Sequence, residues 1–181
     1  PTKILGAYGD AGFLSTNNTK LYNKMRRIRL MGMESNVKSK NKFNKKYYAI
    51  EHGTNSRLDE IQASILNVKL NFIKYYINRR RQIAKIYNDN LKKENIKLPK
   101  EDNNNFHVYY QYVVRHNNRN SILKKLQRKG INLSITYPYP IHKMRAYKIF
   151  SQKKYGKLSK TEKFSNEIFS LPTYPSIKDV N

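Results

Sequence analysis

Residues 55–93, "NSRLDEIQASILNVKLNFIKYYINRRRQIAKIYNDNLKK", constrain the fold of this chain more than any other stretch. Leu58, Ile61, Ile65, Leu66, Ile73, Ile77, Ile83, Ile86 and Leu91 recur at steps of three and four. That spacing is the signature of a helix with one apolar face. The pattern runs too long for one ordinary globular helix, which predicts two helices divided near Asn71. Ser56 followed by Asp59 resembles a capping box, which satisfies the first free amides of a helix. Arg79, Arg80 and Arg81 are expected on the wet side of the second helix, solvated or paired.

The flanks read differently. Residues 1–16 predict a Gly-rich turn and a short strand, "GFLST". A helix then starts with Thr19 as N-cap and runs to about Met31, burying Leu21, Met25 and Ile28. Residues 32–54 form a long loop that ends in a cluster of Tyr47, Tyr48, His52 and Gly53, with a mobile middle at 36–45. From about 98 onward "FHVYYQYVVRH" reads as a strand, and "NRNSILKKLQRKG" as an amphipathic helix ended by Gly130. "INLSITYPYPIH" reads as a strand entering a Pro-rich turn, and a last helix lies near 159–168, capped by Ser159 with Glu162 three residues on. Alternating helix and strand predicts a small α/β or α+β lobe.

Composition narrows the function classes. With 38% hydrophobic residues, 15 Tyr and 7 Phe, the 181-residue chain can pack a core. No apolar run approaches the roughly 20 residues of a membrane span, so no membrane partner is expected. The absence of cysteine excludes disulfides and thiolate metal sites and agrees with a cytoplasmic address. The four histidines lack metal-ligand spacing, His107 and His116 receive no role, and no paired carboxylates stand out. A net charge of +25 raises a basic nucleic-acid-binding protein as an alternative. The cations are spread through every segment rather than gathered on one stripe, which favours a solvated basic surface.

Lys3 precedes Gly6, Gly9 and Gly12. A P-loop would carry its glycines before the lysine, so the order here is reversed. The other chemistry open to such an amine is condensation with an aldehyde, of which pyridoxal 5′-phosphate (PLP) is the commonest in enzymes. The whole string "PTKILGAYGDAG" resembles the PLP-lysine segment of the DegT/DnrJ/EryC1/StrS family of sugar aminotransferases. "RLMGME" and "YYAIEHGTNSRLDEIQASIL" are similar to that family's inter-subunit loop and following helix. "FHVYYQYVVRH", "SITYPYPIHKMRAY" and "EIFSLPTYPSI" are similar to its small C-terminal domain. Six segments in order, over nearly the whole chain, are more specific than any one of them.

The resemblance implies the C-terminal part of a fold-type I PLP-dependent transferase of α/β class. Residues 1–97 would end the large PLP-binding domain, with the inter-subunit loop and long helices, and 98–181 would form the small domain. It implies Lys3 as the catalytic, PLP-binding lysine, and Asn55 as a ligand reaching across a homodimer to the partner's PLP phosphate. Tyr137, Tyr48, His52 and His142 fall at positions that approach a nucleotide-linked sugar, although Thr136 stands where many relatives carry His. Glutamate is the expected amino donor, and enzymes aminating C3 of nucleotide-linked 3-keto-6-deoxy sugars resemble the chain most. The acidic partner of the pyridine nitrogen and the aromatic stacked on the ring precede the lysine in that family. The expectation is therefore the latter part of a longer enzyme, inactive alone and completed by an N-terminal portion, either of the same chain or supplied as a separate fragment. A non-catalytic regulatory or binding module is the other alternative.

Overall fold

The long periodic segment forms two helices, α2 (Glu60–Leu70) and α3 (Ile73–Leu91), with Asn71 as the C-cap of the first. The expected division is therefore where the chain breaks. The computed structural model describes residues 3–34, 47–147 and 158–178. The stretch 36–45, expected to be mobile, lies outside the described residues. The chain separates into two compact units, 1–72 and 73–181.

In the first unit, α1 spans Thr19–Ile28. Its N-cap is Asn18 rather than Thr19, because the Asn18 carboxamide accepts the Leu21 amide at 3.0 Å. The expected burial of its apolar stripe does not occur: Leu21 is exposed and α1 buries no residue. "GFLST" forms no strand, and Phe13 and Leu14 stand in solvent. The capping box at α2 is also absent. Asp59 is the N-cap but makes no side-chain cap bond, while the Ser56 hydroxyl pairs with Thr54 at 2.9 Å and its amide with the Arg29 carbonyl. Ile61, expected in the core, is 76% exposed.

The second unit carries the core. Strands β1 (Tyr112–Arg115) and β2 (Ile168–Leu171) pair antiparallel, Tyr112 opposite Leu171 and Arg115 opposite Ile168. Single bridges at Lys97↔Arg115 and Ser134↔Ser170 extend the pairing. α4 (Arg119–Arg128) and α5 (Ser159–Glu167) lie where helices are expected from sequence. Gly130, at φ +77°, closes α4: its amide bonds Gln127 O and the Ile131 amide bonds Leu126 O. Tyr112, Val114 and Phe169 are fully buried with Ala84 and Tyr109, and Tyr87, Ile122, Leu123 and Leu133 pack around them. Residues 131–135, expected as a strand, contribute only the Ser134 bridge before the chain turns into a 3₁₀ turn at Ile141–Lys143.

The expected strand 106–116 is realised only at its end. The Arg triplet supplies the reason and corrects its own assignment. Arg80 donates to the carbonyls of Tyr110 (3.0 Å) and Thr173 (2.6 Å), and Arg81 to His107 O (2.7 Å) and Glu101 (2.6 Å). Arg79 reaches Ile177 O at 2.6 Å. The carbonyls that a longer strand would offer to a neighbour are thus taken by α3, and Tyr109 breaks the extended run at φ +44°. All three arginines are half-buried rather than on a wet face. Burial lowers the Arg80 pKa, and the Glu101 bond raises that of Arg81. Among the described residues no helix is long and apolar enough to cross a membrane, and no cluster of potential ligands could hold a metal.

Candidate active site

Lys3 opens a turn whose side chain is exposed. Of the three glycines behind it, Gly9 alone takes a left-handed conformation (φ +135°), and a Cβ at Gly12 would meet nothing. α2 holds this turn. The Tyr8 amide donates to Gln62 Oε1 at 2.8 Å, and Gln62 Nε2 donates back to the Tyr8 carbonyl. Lys69 Nζ donates to the Gly6 carbonyl and lies 5.6 Å from the centre of the Tyr8 ring. Neither Gln62 nor Lys69 was singled out by sequence; a polar residue on an amphipathic helix looks like solvent-facing surface until its partner is known.

The ends of the 32–54 loop are tied together by backbone. Bridges join Leu30 to Asn55 and Met33 to Ala49, and the Met31 amide donates to Thr54 O at 3.0 Å. Two glycines permit this approach. A Cβ on Gly32 would lie 1.6 Å from Glu51 O, and one on Gly53 would lie 2.1 Å from Gly32 N. Arg27 Nε and Glu51 Oε1 close the crossing at 2.7 Å. Tyr48, His52 and Asn55 ride on this tied segment, and all three are exposed. Asn55 sits in the bridge to Leu30, five residues before α2, so neither helix capping nor the helix dipole acts at that amide.

Tyr137 and His142 belong to the second unit. The Tyr137 ring is 69% exposed, and the neighbouring Thr136 hydroxyl accepts from Gln111 at 2.7 Å. His142 is half-buried, with its Nε2 3.0 Å from Glu162 Oε1, and Lys143 holds the other oxygen at 3.1 Å. These hydrogen bonds, from His142 first and then Lys143, lower the Glu162 pKa. Glu162 thus faces the Pro-rich turn rather than capping α5, whose N-cap is Leu158 with no side-chain bond. This geometry favours His142 as a residue that orients the turn. Clefts of about 330 and 590 Å³ lie at Lys97–Arg115–Lys163 and at Arg81–Lys85–Glu101, and contain none of these residues.

The model of the DegT/DnrJ/EryC1/StrS aminotransferase family matches residues 1–181. The chain belongs to that family. It is 42% identical, over 98% of its length, to a dTDP-3-amino-3,4,6-trideoxy-alpha-D-glucose transaminase from Micromonospora megalomicea subsp. nigra. It superposes on a DegT DnrJ EryC1 StrS aminotransferase from Brucella abortus with a TM-score of 0.87 at 34% identity, covering 99% of this chain and 45% of that one. S. venezuelae DesV, solved with a ketimine intermediate, gives a TM-score of 0.86 at 31% identity over 98% of this chain and 45% of that one. The chain spans less than half the length of the relatives it matches, 46% in the Micromonospora case. Its fold is that of part of a fold-type I aminotransferase, and DegT/DnrJ/EryC1/StrS aminotransferases are PLP-dependent.

Proposed function

We propose that the chain is the C-terminal portion of a PLP-dependent aminotransferase that moves an amino group, from glutamate, onto a nucleotide-linked keto-deoxy sugar. In this reading residues 1–97 end the large domain and 98–181 form the small one, within a homodimer of cytoplasmic address whose product serves cell-surface polysaccharide. The observation that carries it is the family match over all 181 residues together with an exposed amine at Lys3 on a turn anchored to α2. These residues fit the cofactor in their donor chemistry: a primary amine suits an aldehyde, and the exposed Asn55 carboxamide suits a phosphate.

PLP, when bound, supplies an electron sink for the carbon that gains or loses nitrogen. Lys3 would hold it through its Nζ, and the same amine would serve as the group that moves a proton. Asn55 would donate its carboxamide to the phosphate of the partner subunit's site. Tyr48, His52 and Tyr137 offer exposed rings and polar tips to the nucleotide and sugar, and His142 keeps the Tyr137 turn in place through Glu162.

The test is borohydride reduction of the complete protein with PLP, followed by peptide mapping. The pyridoxyl group is expected on Lys3, and Lys3→Ala is expected to abolish both label and transamination. A label on another lysine overturns the reading. The 181-residue chain alone is expected to turn over no glutamate.

A further inference from the structure

We propose that Gln62 and Lys69 are positioning residues for Lys3, holding the Gly6–Tyr8 backbone on α2 so that the amine is presented from a fixed turn; this rests on the reading of Lys3 above. Residues 11–16 have no regular structure, and Ala7 is the only apolar side chain buried among the described residues of the first unit. Gln62 uses both ends of its carboxamide on one residue, accepting the Tyr8 amide and donating to the Tyr8 carbonyl. Two-point attachment fixes direction as well as place. Lys69 follows seven residues later, two helical turns on, and therefore on the same face of α2. It binds the Gly6 carbonyl and sits near the Tyr8 ring, so the two side chains grip consecutive parts of one turn.

Gly9 agrees with this arrangement. Its φ of +135° strains any other residue, and a Cβ there would lie 3.0 Å from Gln62 Nε2. The glycine leaves room for the gripping amide. Lys3 lies only three residues before Gly6, so freedom in the turn passes directly to the amine. Reacting groups must approach to about 3–3.5 Å, and a misplacement of about 1 Å costs on the order of a hundredfold in rate.

Two measurements test the clamp. The first uses the complete protein without cofactor and reads amide hydrogen exchange. Gln62→Ala should speed exchange of the Tyr8 amide about tenfold or more, while Val113 and Ile122 keep their rates and report an intact second unit. Lys69→Met keeps the aliphatic stem and removes the ammonium, and should raise Tyr8 exchange less. The second uses the complete protein loaded with PLP. Gln62→Ala should lower kcat roughly ten- to hundredfold with KM for the amino donor unchanged, and shift the pH midpoint of the bound cofactor's absorption band. Gln62→Glu, which still accepts the Tyr8 amide, should recover part of both. Borohydride mapping separates the two ideas. A label elsewhere than Lys3 in the unmutated protein overturns the reading of Lys3. With the label on Lys3, unchanged Tyr8 exchange, or an unmoved midpoint and kcat, overturns the clamp alone.

Discussion

The second unit buries Tyr112, Val114 and Phe169 completely, whereas the first, among its described residues, buries Ala7 and no other apolar side chain. Tyr8, Phe13, Leu14, Ile61 and Val68 of the first unit are all more exposed than buried. What holds it is polar and backbone chemistry: the Gln62 and Lys69 contacts, the Arg27–Glu51 pair and the Gly32–Gly53 crossing. Apolar burial is the larger and less directional source of stability. Hydrogen bonds contribute less each but fix direction, which suits the role proposed for Lys3. The second unit is built around packed apolar side chains, and the described residues of the first leave most of theirs exposed.

The contrast can be broken by substitution. Phe169→Ala should have the largest effect, about 3–5 kcal/mol lost from the second unit. Urea titration followed at β1 amides checks it, and equal loss of protection at Met31 and Thr54 would break the comparison. Gly53→Ala should come next, at about 1–3 kcal/mol, because its Cβ must displace backbone. Here protection should fall at Met31 and Thr54 and persist in β1.

Tyr112→Phe sharpens the contrast from within the core. Its hydroxyl donates to Asn88 Oδ1 at 2.6 Å, and burial pushes its pKa from 10.0 up to about 12. Losing the bond should cost about 1 kcal/mol near neutral pH. With the folded pKa raised, Tyr112 stabilises fully below pH 10.0 and loses that contribution as pH climbs toward about 12. Tyr112→Phe should lack this part of the alkaline decline in a pH series of melts. Glu162→Gln should have the smallest effect on stability. Its carboxylate pKa is lowered from 4.5, so its pairing is intact above that pH and is lost as pH falls through the depressed value. The His142 ring proton shifts should follow that acid loss in the unmutated chain and be insensitive to it in Glu162→Gln.

Local codes were legible in the sequence where a residue's role depends on near neighbours. The break at Asn71, the α4 helix with Gly130 behind it, and the α5 region all follow from periodicity and turn chemistry. The family match bears out the resemblance carried by the string around Lys3. Roles that depend on distant partners were not legible. Arg80 and Arg81 looked like wet surface because nothing local says that the carbonyls of Tyr110, Thr173 and His107 will meet them. Glu162 has the spacing of a capping residue, yet His142 and Lys143 claim both its oxygens. That Asn55 pairs with Leu30, five residues before α2, is likewise decided by distant backbone rather than by its near neighbours.

By itself, then, the order of amino acids determined which segments are helical, that the chain carries a lysine just before a glycine-rich turn, and which family it joins. Those features are written in spacing and in contiguous residue types. Only the tertiary structure decided that strand β1 would be cut to Tyr112–Arg115, that the arginines would turn inward, and that Gln62 and Lys69 would meet the turn behind Lys3. Backbone donors and acceptors carry no sequence label. Which polar side chain satisfies which of them is settled when distant segments pack.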